Sequence, residues 1–353
     1  AYTLLYTKYT AFEPGQFAFE RLLAIAGDTN AGMLYADRYL LKNGNSQQAP
    51  VIDYQKGSLR DDFDFGSLLF FRSSVLKQAV RAMDADYRFA GLYDLRLRVS
   101  ELAELVHVNE YLYSEVETDI RKSGEKLFDY VDPKNRAVQI EMEAVCTAYL
   151  KRVGGYLAPD FEPATFDAGG FEQEASVIIP VRNRIRTIED AICSVLAQKT
   201  TFRFNLIIVD NHSTDGTSEA IGKYTADGRV VHLVPERSDL GIGGCWNVGV
   251  HHPACGKFAV QLDSDDVYSG PDTLQKIVDA FYEQNCAMVV GTYRMTDFKM
   301  NEIPPGIIDH REWTLENGRN NALRINGLGA PRAFYTPVLR RINLPNTSYG
   351  EDY

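Results

Sequence analysis

Between residues 175 and 263 the chain alternates short apolar runs with stretches in which apolar positions recur every third or fourth residue. "ASVIIPVRN" (175–183) is a strand-length apolar run ended by Pro180. "IRTIEDAICSVLAQ" then carries Ile185, Ile188, Ile192, Val195 and Leu196 along one helical stripe. "FNLIIVDNHSTDGT" (204–217) reads as a second buried strand closing in turn-forming residues, with a helix at 217–225. "VVHLVPE" and "KFAVQLDSDD" read as two further strands. Strands alternating with helices predict a parallel sheet with helices on its faces. Ligands of such sheets sit at the carboxyl ends of the strands, where Asn183, Asp210 and Asp263 fall.

Upstream the pattern changes. "DPKNRAVQIEMEAVCTAYLKRVGG" predicts a helix with Asp132 as N-cap, Pro133 at its first position, a stripe of Val138, Met142, Val145, Tyr149 and Val153, and Gly154 as its stop. The Pro-, Gly- and acid-rich "LAPDFEPATFDAGGFEQE" reads as a linker. The first hundred residues hold a weak repeat of the end of the chain. Pro14 matches Pro271, Leu22-Leu23 match Ile277-Val278, Asn30 matches Asn285 and Met33 matches Met288; "LLFFRSSVL" (68–76) parallels "PRAFYTPVL" (331–339), and "RFAGLY" (88–93) parallels "SYGEDY" (348–353). In this register Asp263, Asp265 and Asp266 face Tyr6, Lys8 and Tyr9, while Glu351 and Asp352 face Gly91 and Leu92. The first copy therefore lacks the acids. The expected division is a degenerate α/β domain over 1–110, a helical connector and linker over 111–173, and a complete site domain from 174 to 353 that continues past the last residue.

Composition narrows the function. At 353 residues and 45% hydrophobic content the chain can build more than one core, and a formal net charge of -11 speaks against a nucleic acid partner. No stretch reads as a secretory signal or a membrane span. Five scattered cysteines match neither a disulfide framework nor a zinc pattern, which suits a reducing cytoplasm.

The run "KFAVQLDSDDVYSG" sets Asp263, Asp265 and Asp266 at the mouth of a buried strand. Carboxylates a few ångströms apart repel by about 1 kcal/mol in water and more near a low-dielectric core, so they call for a counter-charge. A hard divalent cation, Mg2+ or Mn2+, completed by phosphate oxygens supplies one. An acidic turn capping the next helix reads equally well from these residues alone. "SDLGIGGCWNVG" (238–249) fails as a dinucleotide fingerprint because Trp246 occupies the third glycine position; its small residues suit close backbone approach to a ligand, with Asn247 opening the helical stretch.

"VIIPVRN", "IIVDNHSTDGT", "SDLGIGGCWNVG", "QLDSDD" and "GEDY", in that order, resemble family 2 glycosyltransferases of the GT-A, Rossmann-like fold. The resemblance implies a nucleotide-diphospho-sugar donor, a UDP-sugar being favoured, and a saccharide or lipid-linked acceptor. It places Pro180, Val181 and Asn183 around the nucleotide, Asp210 on base or ribose, Asn247 beside the donor, and Asp263 and Asp265 on sugar and metal. It makes Asp352 the base of an inverting transfer, steadied by Glu351. Arg182, Asn211 and Asp239 depart from the usual pattern. The segment 318–337 suits a loop over sugar and acceptor, where Arg319, Arg324 or Arg332 could meet phosphate. The implied setting is polysaccharide or glycoconjugate synthesis in the cytoplasm, with peripheral association at the inner membrane face allowed. Nucleotidyl transfer, or sugar binding without turnover, stand as alternatives.

Overall fold

The computed structural model describes residues 1–42, 44–117, 135–310, 313–325 and 331–348, and divides into two compact units. Unit 1 comprises Ala1–Pro159 together with Arg311–Asn326, and unit 2 comprises Asp160–His310 with Gly327–Tyr353. In unit 1 the elements are β1 (Tyr2–Tyr6), β2 (Phe12–Pro14), α1 (Ala18–Thr29), β3 (Met33–Lys42), β4 (Asn45–Ala49), β5 (Leu68–Arg72), α2 (Ser73–Arg81), α3 (Gly91–Leu102), β6 (Leu105–Val116) and α4 (Arg136–Val153). Its sheet runs β1-β5-β3-β6-β2, with β4 added to β3 and only β3 and β6 parallel.

Unit 2 continues with β7 (Ala175–Val181), α5 (Ile188–Leu196), β8 (Phe204–Asp210), α6 (Thr217–Gly222), β9 (Val230–Leu233), α7 (Ile242–His251), β10 (Phe258–Gln261), α8 (Thr273–Gln284), β11 (Met288–Val290), the hairpin β12 (Tyr293–Thr296) and β13 (Glu302–Ile308), β14 (Arg332–Tyr335) and α10 (Thr336–Ile342); α9 (Gly318–Asn321) counts with unit 1. The sheet order is β11-β14-β10-β7-β8-β9. β10, β7, β8 and β9 are parallel, and β14 is antiparallel to both its neighbours. This is the mixed, mostly parallel α/β sheet flanked by helices that the GT-A resemblance implies, with β14 as the antiparallel member that alternation alone does not announce. All seven residues of β7 and of β8 are buried, as central strands covered on both faces must be.

Several expectations shift. β7 does not stop at Pro180 but runs to Val181, because the β10 ladder ends where Gln261 meets Ile178 and a missing N–H beyond that pair costs no ladder bond. α5 begins at Ile188, leaving Ile185 exposed in the preceding loop. Asp132 and Pro133 lie outside the described residues. Gly154 does close α4 in the left-handed conformation at φ 77, yet the buried face carries Cys146 and Leu150 while Val153 is exposed. The stretch expected as a free linker is tied down: Ala164 donates to the Asn285 carbonyl at 2.7 Å, and the Phe166 ring packs edge-on against Phe258, Phe281, Tyr282 and Tyr335.

The two units share a half-domain to the residue. Met33 pairs with Phe71 as Met288 pairs with Phe334, and Thr3 pairs with Phe71 as Ala259 pairs with Phe334. α1 and α8 end alike, on Asn30 at φ 55 and Asn285 at φ 48. The ladders correct the expected register of the first strand by one residue, since Leu4 now matches Val260. Asp263, Asp265 and Asp266 thus correspond to Thr7, Tyr9 and Thr10, not Tyr6, Lys8 and Tyr9. The slip arose from pairing Pro14 with Pro271: Pro14 belongs to β2, a strand for which unit 2 has no counterpart among its described residues. A slip of one exchanges the two faces of a strand, so the correction matters for which side chains stand at the strand mouth.

Candidate active site

β7, β8 and β10 are adjacent parallel strands of unit 2, so the loops that follow them open at one edge. Hydrogen bonds tie these loops together. Asp210 ends β8 with no solvent exposure. Its Oδ1 accepts the Ser213 amide at 3.0 Å, its Oδ2 accepts the Ser218 hydroxyl, and His232 Nε2 lies 3.4 Å away. Burial opposes ionisation of Asp210, but the donors from Ser213, Ser218 and His232 outweigh it and hold the carboxyl below its ordinary pKa. Asp210 thus lies beneath the turn and shapes it.

Asn183 follows β7 in the left-handed region at φ 56. Its amide donates to Ser213 Oγ at 3.0 Å and its Oδ1 accepts the Thr214 amide at 2.8 Å. The β7–α5 loop is further pinned where the Arg184 amide donates to Thr217 Oγ1 at 2.8 Å and the Ile185 amide to Asp215 Oδ2 at 3.1 Å. Ser213, Asp215, Thr217 and Ser218 escaped the sequence reading as site builders. The density of Ser, Thr and Asp in "DNHSTDGT" was their signal, since such side chains bond nearby backbone. Pro180 and Val181 are buried strand residues that floor the edge, and the Val181 carbonyl accepts the Asn211 amide at 2.8 Å.

The acidic turn completes the edge. Arg184 Nε approaches Asp265 Oδ2 at 3.8 Å, joining the β7 loop to the β10 loop across two half-exposed side chains. Asp266 is pushed up to about 6 by desolvation, then by the charges of Asp263 and Asp265, even though part of its surface meets solvent. That crowding suits a hard divalent cation. Among the described residues no three His, Cys, Asp or Glu side chains converge as a complete cage.

The glycine-rich stretch packs against the segment at Asn346 and Thr347. Gly241 donates its amide to Asn346 Oδ1 at 2.8 Å, and Gly243 donates to the Thr347 carbonyl at 3.2 Å. A Cβ on Gly244 would collide with the Asn346 amide, and one on Gly241 with the Thr347 backbone. Asn247 bonds Leu344 with both ends of its amide, donating to the carbonyl at 2.7 Å and accepting the backbone N–H at 3.0 Å. These small residues make room for the chain segment leading to Glu351 and Asp352. The two acids themselves lie outside the described residues. Trp246 points the other way, into the core at 1% exposure.

The segment 318–337 does not act as one loop. Its first part belongs to unit 1, where Asn320 Oδ1 accepts the Leu157 amide at 3.1 Å, Arg319 donates to the Leu157 carbonyl at 2.8 Å, and the fully buried Arg324 pairs with Asp61. Arg332, in β14, donates to Gln261 Oε1 at 2.6 Å inside the sheet of unit 2. All five cysteines are free, and no helix among the described residues is long and apolar enough to cross a membrane.

Residues 176–341 match the family Glycosyl transferase family 2. A Bacillus subtilis (strain 168) protein named "Putative teichuronic acid biosynthesis glycosyltransferase TuaG" is 33% identical over 120 residues, 34% of this chain and 46% of that protein. An uncharacterized glycosyltransferase of Rickettsia conorii (strain ATCC VR-613 / Malish 7) is 38% identical over 97 residues, 28% of this chain and 15% of its own length. The chain thus spans less than half the length of these curated relatives. Among solved structures, residues 1–349 of S. aureus TarS align at 25% identity and TM-score 0.41, covering 51% of this chain and 52% of that one.

Proposed function

We propose, from the match of residues 176–341 to Glycosyl transferase family 2, that unit 2 moves a sugar from a nucleotide-diphospho-sugar, a UDP-sugar foremost, to a hydroxyl of a saccharide or lipid-linked acceptor, with inversion at the anomeric carbon. The observation that carries this reading is the linkage of three strand-end loops at one sheet edge, Asn183 to Ser213 and Arg184 to Asp265, which brings the acidic turn next to the residues expected to meet the donor.

Asp263 and Asp265 would hold Mg2+ or Mn2+, and the ion would neutralise the departing diphosphate. Asn183 and the turn that Asp210 braces would frame the nucleotide. Asp352 takes the proton from the acceptor hydroxyl as that oxygen bonds to the anomeric carbon and the carbon–diphosphate bond breaks, while Glu351 orients the base or the acceptor. The Asn346–Thr347 contacts with the α7 amino terminus fix where the chain departs toward that pair. Polysaccharide or glycoconjugate synthesis is the setting, on the cytoplasmic side and with or without contact to the membrane face.

Release of UDP from a panel of UDP-sugars, measured with Mn2+ and with EDTA, tests the reading. Turnover should require the cation, and Asp352→Asn should lower kcat by about 100- to 10,000-fold while leaving UDP affinity within about twofold. An Asp352→Asn enzyme as fast as the native one would end the assignment of the base. No turnover of any nucleotide sugar would end the enzymatic reading.

A further inference from the structure

Unit 1 contains a cavity of about 770 Å3 whose described lining belongs entirely to that unit. Small-molecule sites commonly span about 300–1,000 Å3. The cavity begins at Thr7 and Lys8, immediately after β1. By the shared ladder register these residues stand where unit 2 has Asp263 and Ser264 after β10. It is thus the counterpart of the acidic strand mouth, kept open but stripped of the acids.

Its wall has two kinds of surface. Phe63, Phe65, Phe89 and Tyr93 supply aromatic rings, and Phe89 keeps 40% of its surface exposed. Around them stand charged groups whose acids, Asp62 and Asp64 among them, outnumber the bases. Acids and bases alike are already paired: Lys8 and Arg38 both reach Glu115 at 2.9 Å, Arg38 also reaches Asp64 at 2.9 Å, Arg60 holds Asp62 at 2.7 Å, Lys42 holds Glu117 at 3.0 Å, Arg324 pairs with Asp61, and Arg96 donates to the Ser58 and Arg60 carbonyls at 2.8 and 2.7 Å. The charges of the described lining residues are thus largely compensated by ion pairs, so the wall offers either an anion or a cation little net counter-charge. A neutral ligand with an apolar face for the rings and a belt of hydroxyls for the carboxylates fits both surfaces.

We infer that unit 1 carries a metal-independent binding site for a neutral saccharide, formed at the end of β1 by Phe63, Phe65, Phe89 and Tyr93 with Asp62 and Asp64. The choice of a sugar as ligand rests on the transfer reading of unit 2. The site holds a glycan and does no chemistry on it, because no carboxylate follows β1 at Thr7, Tyr9 or Thr10 and Leu92 stands opposite Asp352 in the repeat.

Calorimetric titration of the full chain with soluble oligosaccharides of glucose, N-acetylglucosamine, galactose and mannose, in EDTA and without nucleotide, tests this. At least one should bind. Phe89→Ala, at an exposed rim position, should weaken it about tenfold. Asp62→Asn should weaken it as well, while Phe19→Ala, an exposed aromatic away from the cavity, and Asp265→Asn should leave it unchanged. Absence of binding by the whole panel overturns the inference, as does affinity untouched by both Phe89→Ala and Asp62→Asn or abolished by Asp265→Asn. UDP release by the Phe89→Ala protein should stay native. If oligosaccharides bind but no donor is ever turned over, the transfer reading fails and the saccharide site stands.

Discussion

Asp210 ends a central strand with its carboxylate sealed from solvent, and its value to the site lies in the donors it gathers from Ser213, Ser218 and His232. Replacing it by asparagine turns an acceptor-only group into one that presents an N–H2 to some of those donors. The loss at neutral pH should be about 1–3 kcal/mol. The native carboxyl ionises below its ordinary pKa, so the stability it adds is fully present above about 3.9, its unfolded-state value, and is lost as pH falls through the lower folded value. Urea denaturation of native and Asp210→Asn proteins across the acid range should therefore show a gap that closes toward low pH. A gap that stays constant would mean that Asp210 is not held ionised by its turn.

At the scale of elements, the amino end of α7 is a docking face for the chain. Alanine is worth about 1 kcal/mol more than glycine within a helix, and Gly222, at the end of α6 with open space where a methyl group would stand, should follow that rule on Gly222→Ala. Gly244→Ala should not. There the methyl meets Asn346, and overpacking costs about 1–3 kcal/mol, so the helical gain is offset and the 344–348 segment is pushed off its seat. The measurable signature is a fall in UDP release for Gly244→Ala with little change in melting temperature, against native turnover for Gly222→Ala. Native turnover in both would show that the seating of this segment does not govern the acids beyond it.

Across the molecule, residues late in the sequence complete the first unit. Arg324 is fully buried and pairs with Asp61, a partner 263 residues away. Burial raises the Asp61 carboxyl, and the Arg324 charge works against that rise. Arg324→Leu leaves a buried carboxylate without its cation and should cost about 3–5 kcal/mol, whereas adding Asp61→Leu should recover much of the loss, since apolar replacement of both members of a buried pair is often neutral. Thermal unfolding of the single and double variants reads this directly. A double variant as unstable as Arg324→Leu alone would show that the arginine acts through its other partner, Asn321, which accepts from Nε at 2.7 Å.

What depends on near neighbours along the chain was legible before folding. Period and turn chemistry marked β7, β8, β10 and α5, Gly154 stopped α4, and the acids after Leu262 were placed at a strand mouth, because these features are set within a few residues. The repeat of β1, α1, β3 and β5 could be read too, though its first strand slipped by one residue for want of a ladder to count on. It took the folded chain to show that Asp210 is buried, that Gly241, Gly244 and Asn247 serve residues 344–347, and that Arg324 belongs to unit 1. Each of these turns on which distant backbone fills a space or accepts a hydrogen bond. Such long-range pairings leave no periodic trace, so an arginine bound for solvent and one bound for a buried carboxylate read alike until the chain is folded.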